Sequence, residues 1–350
     1  MNSFVTQAAI HFGCDVLSVE SLTEGLIHQT FKVNSKDGDS IILQQINTTV
    51  FRNPELVNEN YRTISQHLKA HSSLRIPSLI KTSDLETLWR DESGMCWRAF
   101  EYIQNSYSET QASSARVVYH AARCYGEFVH ALFDLDASTI LPTIPGFHDL
   151  ALRYHQLGHA ISNGNPERIK ECKDLLGTIE RFKTLFHFYN KMVQSPEFKM
   201  RTMHHDCKLS NVLFEKGSGE AICPIDLDTV MPGYFFSDVG DMVRSMVSSA
   251  DENSPAENVD VRKDIYLAII SGYQSGIQDS FTEAENRHLH HAGMIMIYMQ
   301  GIRFLTDYLQ NDAYYRISYP KQNFNRADNQ LQLLKKLDQF LKEEYHYQIG

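Results

Sequence analysis

The sequence predicts an α+β protein of two lobes. A small, strand-rich N-terminal lobe is expected over residues 1–103, and a larger, mainly helical lobe over residues 104–350. Three observations carry this expectation. Short β-branched and aromatic runs separated by turn residues fill the first hundred positions. Apolar residues at helical spacing dominate from Ser113 onward. A chain of 350 residues is also long for one hydrophobic core and suits two.

Taken in order, Phe4, Val5, Ala8, Ala9 and Phe12 recur at helical spacing, and Gly13 is placed to stop that helix. Strands are expected at Leu17–Val19, Thr30–Val33 and Ile41–Leu43. The last two are joined by Lys36-Asp37-Gly38-Asp39, whose Asp-Gly pair tolerates the positive φ of a tight hairpin turn. Pro54 opens a helix to His71 with Leu56, Tyr61, Ile64 and Leu68 on one face. Pro77–Ile80 and Met95–Ile103 read as strands, and the polar run Gln104–Ser114 as a connector. Beyond it, Val117, Val118, Ala121, Tyr125, Phe128, Val129 and Leu132 form one apolar stripe. A connection with Pro142 and Pro145 leads to helices at about 149–161 and 167–193. Further helices follow at about 262–276, 282–309 and 325–345, after an acidic loop over Ala250–Asp260.

Composition narrows the classes of function. An apolar fraction of 42% with 22% charged residues is that of a globular chain, not a disordered one. A formal charge of −10 disfavours general binding to nucleic acid or to anionic membranes. Met1–Val16 lacks the basic and apolar regions of a secretory signal, and Met294–Met299 is too short to span a bilayer. The six cysteines are scattered without a Cys-x-x-Cys pair, which suits reduced thiols in a cytoplasm. The expectation is a soluble cytoplasmic protein with a small-molecule partner, no nucleic acid and no membrane; the oligomeric state stays open.

The chemistry concentrates between Arg201 and Arg244. His204-His205-Asp206 is followed by Asn211, the apolar run Val212-Leu213-Phe214, a polar turn with Gly217 and Gly219, and then Ala221–Asp228. A His-x-Asp loop, an Asn five residues after the Asp, a hairpin and an Asp ending an apolar strand form the layout of a kinase-type phosphoryl-transfer site. Asp206 is the candidate catalytic base, able to accept a hydrogen bond from an acceptor hydroxyl. Asn211 and Asp226 are oxygen ligands suited to Mg²⁺, brought together by the hairpin although fifteen residues separate them. Asp228, on the same face as Asp226 if the strand continues, is a second metal or substrate contact. His204 and Asp238 are expected to brace the loop, with Asp238 and Asp241 also capping the next helix.

The order of elements before this stretch is that of a small nucleotide-binding lobe and hinge. On that reading the Gly25 loop covers the nucleotide phosphates, and the backbone of Glu101, Tyr102 and Ile103 faces the adenine of ATP. Rival chemistries fare worse. His204, His205, Cys207 and Cys223, or His288, His290 and His291, could hold zinc, but their spacings match no common pattern. Without a Gly-x-Ser-x-Gly elbow, no serine triad can be built.

The chain resembles the aminoglycoside phosphotransferase and choline kinase superfamily, and within it the bacterial N-acetylhexosamine 1-kinases. The resemblance rests on Ile42–Asn47 with Val50-Phe51, Trp97-Arg98, Thr143-Ile144-Pro145 with Phe147-His148, and Ile225-Asp226-Leu227-Asp228-Thr229-Val230-Met231-Pro232-Gly233. Arg303–Leu309 and Asn325-Arg326-Ala327 complete it. It implies a bilobal protein-kinase-like fold, ATP and Mg²⁺ as cofactors, and phosphorylation of the anomeric hydroxyl of N-acetylglucosamine or N-acetylgalactosamine. It also implies a sugar site on the helical lobe near Asp228, Arg303 and Asp307. Two departures stand out. Gln44 and Gln45, expected to bind the nucleotide, occupy the strand position where kinases keep a phosphate-contacting cation; an amide can hydrogen-bond a phosphate oxygen without neutralising it, and Lys32 or Arg52 could supply the charge. Leu26–Thr30 departs from the family's usual Gly-His-Ile-Asn-Asp-Thr. A kinase of another small alcohol and a nucleotide-binding scaffold without catalysis are the competing expectations.

Overall fold

The computed structural model describes residues 3–22 and 27–348. The chain divides into two compact units. The first holds the residues up to Thr110 together with Ala131–Pro145 and Ser210–Pro232. The second holds Gln111–His130, Gly146–Leu209 and the chain from Gly233 on.

The first unit begins with α1 (Ser3–His11), β1 (Val16–Leu22), β2 (Gln29–Ser35), β3 (Ser40–Gln45) and α2 (Pro54–His71). Short strands β4 (Leu79–Ile80) and β5 (Trp89–Arg90) precede β6 (Cys96–Glu101) and β7 (Ser106–Tyr107). One antiparallel sheet runs β1-β2-β3-β6-β4, with β5 also on β6. Strand alternation assigns its faces. Phe31, Val33, Ile41, Leu43, Trp97 and Ala99 point to one face, where Val5, Ala8, Ala9 and Phe12 at the N-terminus cover them. The opposite face carries Cys96, Arg98 and Phe100. There α2 supplies Val57 beside Cys96 and Tyr61 against the Phe100 ring at 5.1 Å. Gln44 lies directly across from Arg98 in the β3–β6 register, so the two side chains share this second face.

The chain leaves β8 (Arg201–Met203) in the second unit and enters the first at Ser210. There β9 (Val212–Glu215) and β10 (Ala221–Pro224) form the expected hairpin, and β7 pairs with β9. The expected connector Gln104–Ser114 thus contains a strand: Ser106 and Tyr107 pair with Glu215 and Phe214. Strand β11 (Met231–Gly233) follows.

The second unit is helical: α3 (Ala115–Ala131), α4 (Leu150–Asn163), α5 (Pro166–Glu171), α6 (Lys173–Arg181), α7 (Thr184–Met192), α8 (Phe236–Met246), α9 (Lys263–Ile277), α10 (Glu283–Arg287), α11 (Leu289–Leu309) and α12 (Gln322–Tyr345). Helix α11 is buried on nearly every face and packs against α12, α8, α4 and α7, as a helix apolar all round must. Its approach to α8 requires Gly240, where a Cβ would lie 2.4 Å from the Ala292 carbonyl oxygen. Two expected helices are broken. The 167–193 stretch divides at Cys172 and again at Phe182–Lys183, because both Cys172 and Phe182 are drawn into the core. The 282–309 stretch divides at His288, after a short helix fixed by the reciprocal Thr282–Glu285 capping box. Among the described residues, no helix is long and apolar enough to cross a membrane.

Candidate active site

The candidate residues fall in both units, each described by itself. In the second, the loop after β8 carries His204, His205 and Asp206. Its backbone is pinned by one carboxylate. Asp238, fully buried in the first turn of α8, accepts the His204 amide at 3.1 Å and the His205 amide at 2.8 Å. Of the two roles expected of Asp238, the structure shows the bracing of the loop, while helix α8 has no side-chain cap bond. These bonds hold His205 at φ 69, a left-handed conformation costly for a side chain with a Cβ. The His205 ring donates from Nδ1 to the Met203 carbonyl at 3.1 Å and sits over Gly233, where a Cβ would fall 2.5 Å from Nε2. Only glycine fits there.

His204 is fully buried, edge-on to Tyr125 at 5.1 Å, and its Nδ1 accepts the Asp206 amide at 3.3 Å. It orients Asp206 and offers no exposed proton. The Asp206 carboxylate pairs with Lys208 at 2.9 Å, and the Lys208 carbonyl accepts from Tyr125 at 2.8 Å. Asp241 pairs with Arg244 at 2.8 Å. Burial lifts its carboxyl above the usual range against the pull of Arg244, and the negative charge of Asp206 adds to the rise.

In the first unit, the β9–β10 hairpin presents Asn211 and Asp226 at the same end. Val212 pairs with Pro224, and the Ile225 amide donates to the Asn211 carbonyl at 2.9 Å. Asp226 follows at φ 58, ψ 58, and a 3-10 turn, Leu227–Thr229, replaces the expected straight continuation. Asp228 therefore does not simply alternate with Asp226 along a strand. It turns into the second face of the large sheet and is 2% exposed. Its Oδ2 accepts from Arg98 Nη2 at 2.7 Å and from His28 Nε2 at 2.8 Å, and its backbone carbonyl accepts from Thr143 at 2.6 Å. Burial alone would raise this carboxyl; Arg98 and His28 outweigh it and hold it below the usual carboxylate range.

Arg98 also explains Gln44. The Gln44 Oε1 accepts from Arg98 Nε at 3.0 Å and Nη2 at 2.8 Å, and its amide donates to Thr30 at 3.2 Å. The amide is thus committed to a neighbouring arginine, contrary to the expectation of a phosphate contact. Gln45 points with Trp97 to the α1 face. Of the substitute cations considered, Lys32 lies 4.1 Å over the Tyr102 ring. The buried cation of this sheet is Arg98, which sequence reasoning noted in a motif without giving it a role. A guanidinium inside a buried strand was the available signal, since arginine is almost never buried without a partner.

Glu101 pairs with Arg75 at 3.1 Å, while Tyr102 is half-buried and Ile103 buried. Arg303 donates to Gln300 at 3.0 Å and stacks over Phe147 and Tyr315 at 5.3 and 5.7 Å. Asp307, expected at the substrate, is spent on structure: it accepts the Tyr314 and Tyr315 amides at 2.7 and 2.9 Å and the Asn323 amide group at 2.9 Å. It thereby fixes Tyr315 beside Arg303. Gly25 lies outside the described residues. Of the zinc candidates, Cys207 and Cys223 are buried thiols, pushed well up and up to about 12 respectively by desolvation.

Asn211 and Asp226 supply the hard oxygen donors that Mg²⁺ takes alongside phosphate and water, so they fit that ion. Among the described residues, His28, Asp226 and Asp228 also bring ligand atoms within 4.8 Å of one another. His28 does not belong to such a metal set. Its Nδ1 accepts the Asn47 amide at 3.0 Å, which assigns the ring proton to Nε2 and leaves no lone pair there.

Residues 18–268 match the phosphotransferase enzyme family. The fold is similar to that of a microcompartment-associated aminopropanol kinase, with 14% identity, 99% of each chain covered and a TM-score of 0.68. It is also similar to a spectinomycin phosphotransferase in complex with ADP and spectinomycin, with 12% identity, 96% of this chain and 98% of that one covered and a TM-score of 0.61. Choline kinase from Cryptosporidium parvum is similar at 15% identity, with 93% of this chain and 90% of that one covered and a TM-score of 0.54. The chain belongs to the phosphotransferase enzyme family and has the fold of the small-molecule kinases.

Proposed function

We propose that the protein transfers the γ-phosphoryl group of ATP to a small-molecule hydroxyl, the anomeric hydroxyl of an N-acetylhexosamine. The observation that carries the reading is the end of the β9–β10 hairpin, where the Ile225–Asn211 bond sets Asn211 and Asp226 side by side. Asp206 lies five residues earlier, on a loop whose amides are fixed by Asp238. Asp206 is the base: it accepts the hydrogen bond of the acceptor hydroxyl and takes its proton as the oxygen bonds to the γ-phosphorus and the bond from that phosphorus to the bridging oxygen breaks, releasing ADP. Asn211 and Asp226 would hold Mg²⁺, which supplies neutralisation of charge on the phosphates. The backbone of Glu101–Ile103 receives the adenine, and Arg303 with Tyr315 contacts the acceptor. His204 and Asp238 keep the base in place without touching substrate.

A neutral acceptor fits the helical unit better than a cationic one. Arg303 lies over Phe147, and Arg153 donates to the Gly146 and Phe147 carbonyls at 2.7 and 3.3 Å. Burial and the nearby Arg303 charge both depress the Arg153 pKa. A quaternary ammonium or aminoglycoside placed there would add a third cation. A sugar hydroxyl or acetamido carbonyl would accept hydrogen bonds instead.

A coupled ADP-release assay with Mg²⁺ and ATP tests this across N-acetylglucosamine, N-acetylgalactosamine, hexoses, choline, aminopropanol and an aminoglycoside. Turnover on an N-acetylhexosamine supports the reading. Turnover on choline or aminopropanol with none on any sugar overturns the acceptor, and nucleotide binding without turnover on any alcohol would identify a scaffold.

A further inference from the structure

We propose that Arg98 is a positioning residue for the metal-binding Asp226, acting through the carboxylate of Asp228; this rests on the metal role given to Asp226 above. The guanidinium is 1% exposed and fixed from two sides. On β3, Gln44 receives Nε and Nη2, and Gln44 is itself held by Thr30 of β2. On the other side, Nη2 donates to Asp228 Oδ2 at 2.7 Å. His28 closes the arrangement by donating to the same oxygen while accepting the Asn47 amide. Thr143 then fixes the Asp228 backbone carbonyl. Arg98 of β6 and His28, next to β2, thus meet on one carboxylate oxygen, with Gln44 of β3 and Thr30 of β2 backing Arg98 and Thr143 holding the backbone of the same residue.

That carboxylate sits two residues after Asp226, inside one 3-10 turn. The torsions φ 58 and ψ 58 at Asp226 are left-handed, a conformation that Asp tolerates better than most residues with a Cβ, and bonds on both sides hold the chain in it. On one side the Ile225 amide is tied to Asn211; on the other, Asp228 is tied to Arg98. Asp226 is held between the two ties. The arrangement also gives the absence of a cation at position 44 a physical reason. Lys or Arg there would face Arg98 directly across the β3–β6 register, whereas glutamine accepts from it. The sheet keeps a cation, but on β6 and directed at the metal-binding turn.

Charge and positioning make opposite forecasts. Removing Arg98 deletes a positive charge near the metal ligands and releases a carboxylate, which by Coulomb attraction alone strengthens cation binding. Loss of positioning weakens it, typically by about 10- to 100-fold for a group that orients a ligand from behind. The experiment is a Mn²⁺ titration followed by electron paramagnetic resonance, with saturating AMP-PNP and full-length protein. Wild type, R98K, R98M, the charge-balanced R98M/D228N and D226N are compared, with folding checked by circular dichroism. Expected are at least tenfold weaker Mn²⁺ binding in R98M and R98M/D228N, partial recovery in R98K, and metal-free AMP-PNP affinity within threefold of wild type. If R98M does not fold, the double variant, which leaves no unpaired buried charge, decides. Unchanged or tighter Mn²⁺ binding in the folded variants overturns the proposal, as does loss of metal-free AMP-PNP affinity with Mn²⁺ binding intact, which would make Arg98 a phosphate contact. If D226N binds Mn²⁺ like wild type, the fault lies in the metal role of Asp226, and the inference falls with it.

Discussion

Replacing Asp238 by Asn separates loop bracing from catalysis. The wild-type carboxylate accepts two amides, His204 at 3.1 Å and His205 at 2.8 Å, from a fully buried position. Each hydrogen bond to a charged acceptor is worth about 1.5–3 kcal/mol. Asn keeps one acceptor oxygen but turns an NH₂ group against the other amide, so a loss of about 3 kcal/mol is expected. For a unit of this size that lowers Tm by about 6–12 °C. The larger effect is on rate. Without the second bond, His205 is free to leave φ 69 and carries the adjacent Asp206 carboxylate with it. Misplacement of a reacting group by about 1 Å costs on the order of 100-fold in kcat. The assay is steady-state turnover at 20 °C, where the variant is still folded, with Tm by differential scanning fluorimetry. KM for ATP should stay within about threefold of wild type, since the residues proposed to contact the nucleotide lie on other elements. Wild-type Tm and kcat in D238N would refute the bracing role; a lower Tm with unchanged kcat would show that the bonds serve only stability.

Other substitutions test neighbouring parts. G233A forces a Cβ to within 2.5 Å of His205 Nε2, so it should lower both Tm and kcat, whereas the same substitution at open Gly158 should not. The buried Arg201–Glu285 pair, bidentate at 2.6 and 2.9 Å, also receives the Lys199 and Thr282 amides. R201M, which leaves the Glu285 charge unpaired, should cost about 3–5 kcal/mol in urea unfolding. His291 sets a pH dependence: burial, with smaller contributions from His288 and His290, pulls its pKa down to about 3. The unfolded chain, with a histidine pKa of about 6.5, therefore binds the proton first, and stability is lost as pH falls from about 6.5 towards 3. At pH 5 the loss from this group is about 2 kcal/mol relative to pH 7.5, and H291F, which keeps a ring against Phe188, should flatten the slope by that amount. An unchanged slope would show that His291 is protonated in the folded protein.

What the sequence revealed and what it concealed follow from the range of the interactions. The hairpin linking Asn211 to Asp226, the helix from Pro54 and the apolar stripe of α3 are set by local spacing and turn chemistry, so they could be read directly. The two-residue strands β5 and β7 carry no periodic signal and exist because longer neighbours pair with them. Gln44 suggested a missing cation because its partner Arg98 is 54 positions away, and Asp228 is a further 130 beyond that. Asp307 has the same difficulty. An acidic residue near the end of a long helix suggested substrate, and only the fold shows its carboxylate consumed by Tyr314, Tyr315 and Asn323. The His-x-Asp pattern around Asp206 is visible in the sequence, but Gly233 as the space for the His205 ring is not.

Phosphorus NMR of the product formed from ATP, Mg²⁺ and N-acetylglucosamine or N-acetylgalactosamine, by wild type and by D206N, tests the proposed transfer at its reacting atoms. An anomeric sugar phosphate, its phosphorus coupled to the C1 proton, should accumulate in step with ADP for wild type and be absent for D206N, which still binds ATP. A phosphorylated product formed equally by D206N, or ADP released without any sugar phosphate, would contradict that transfer.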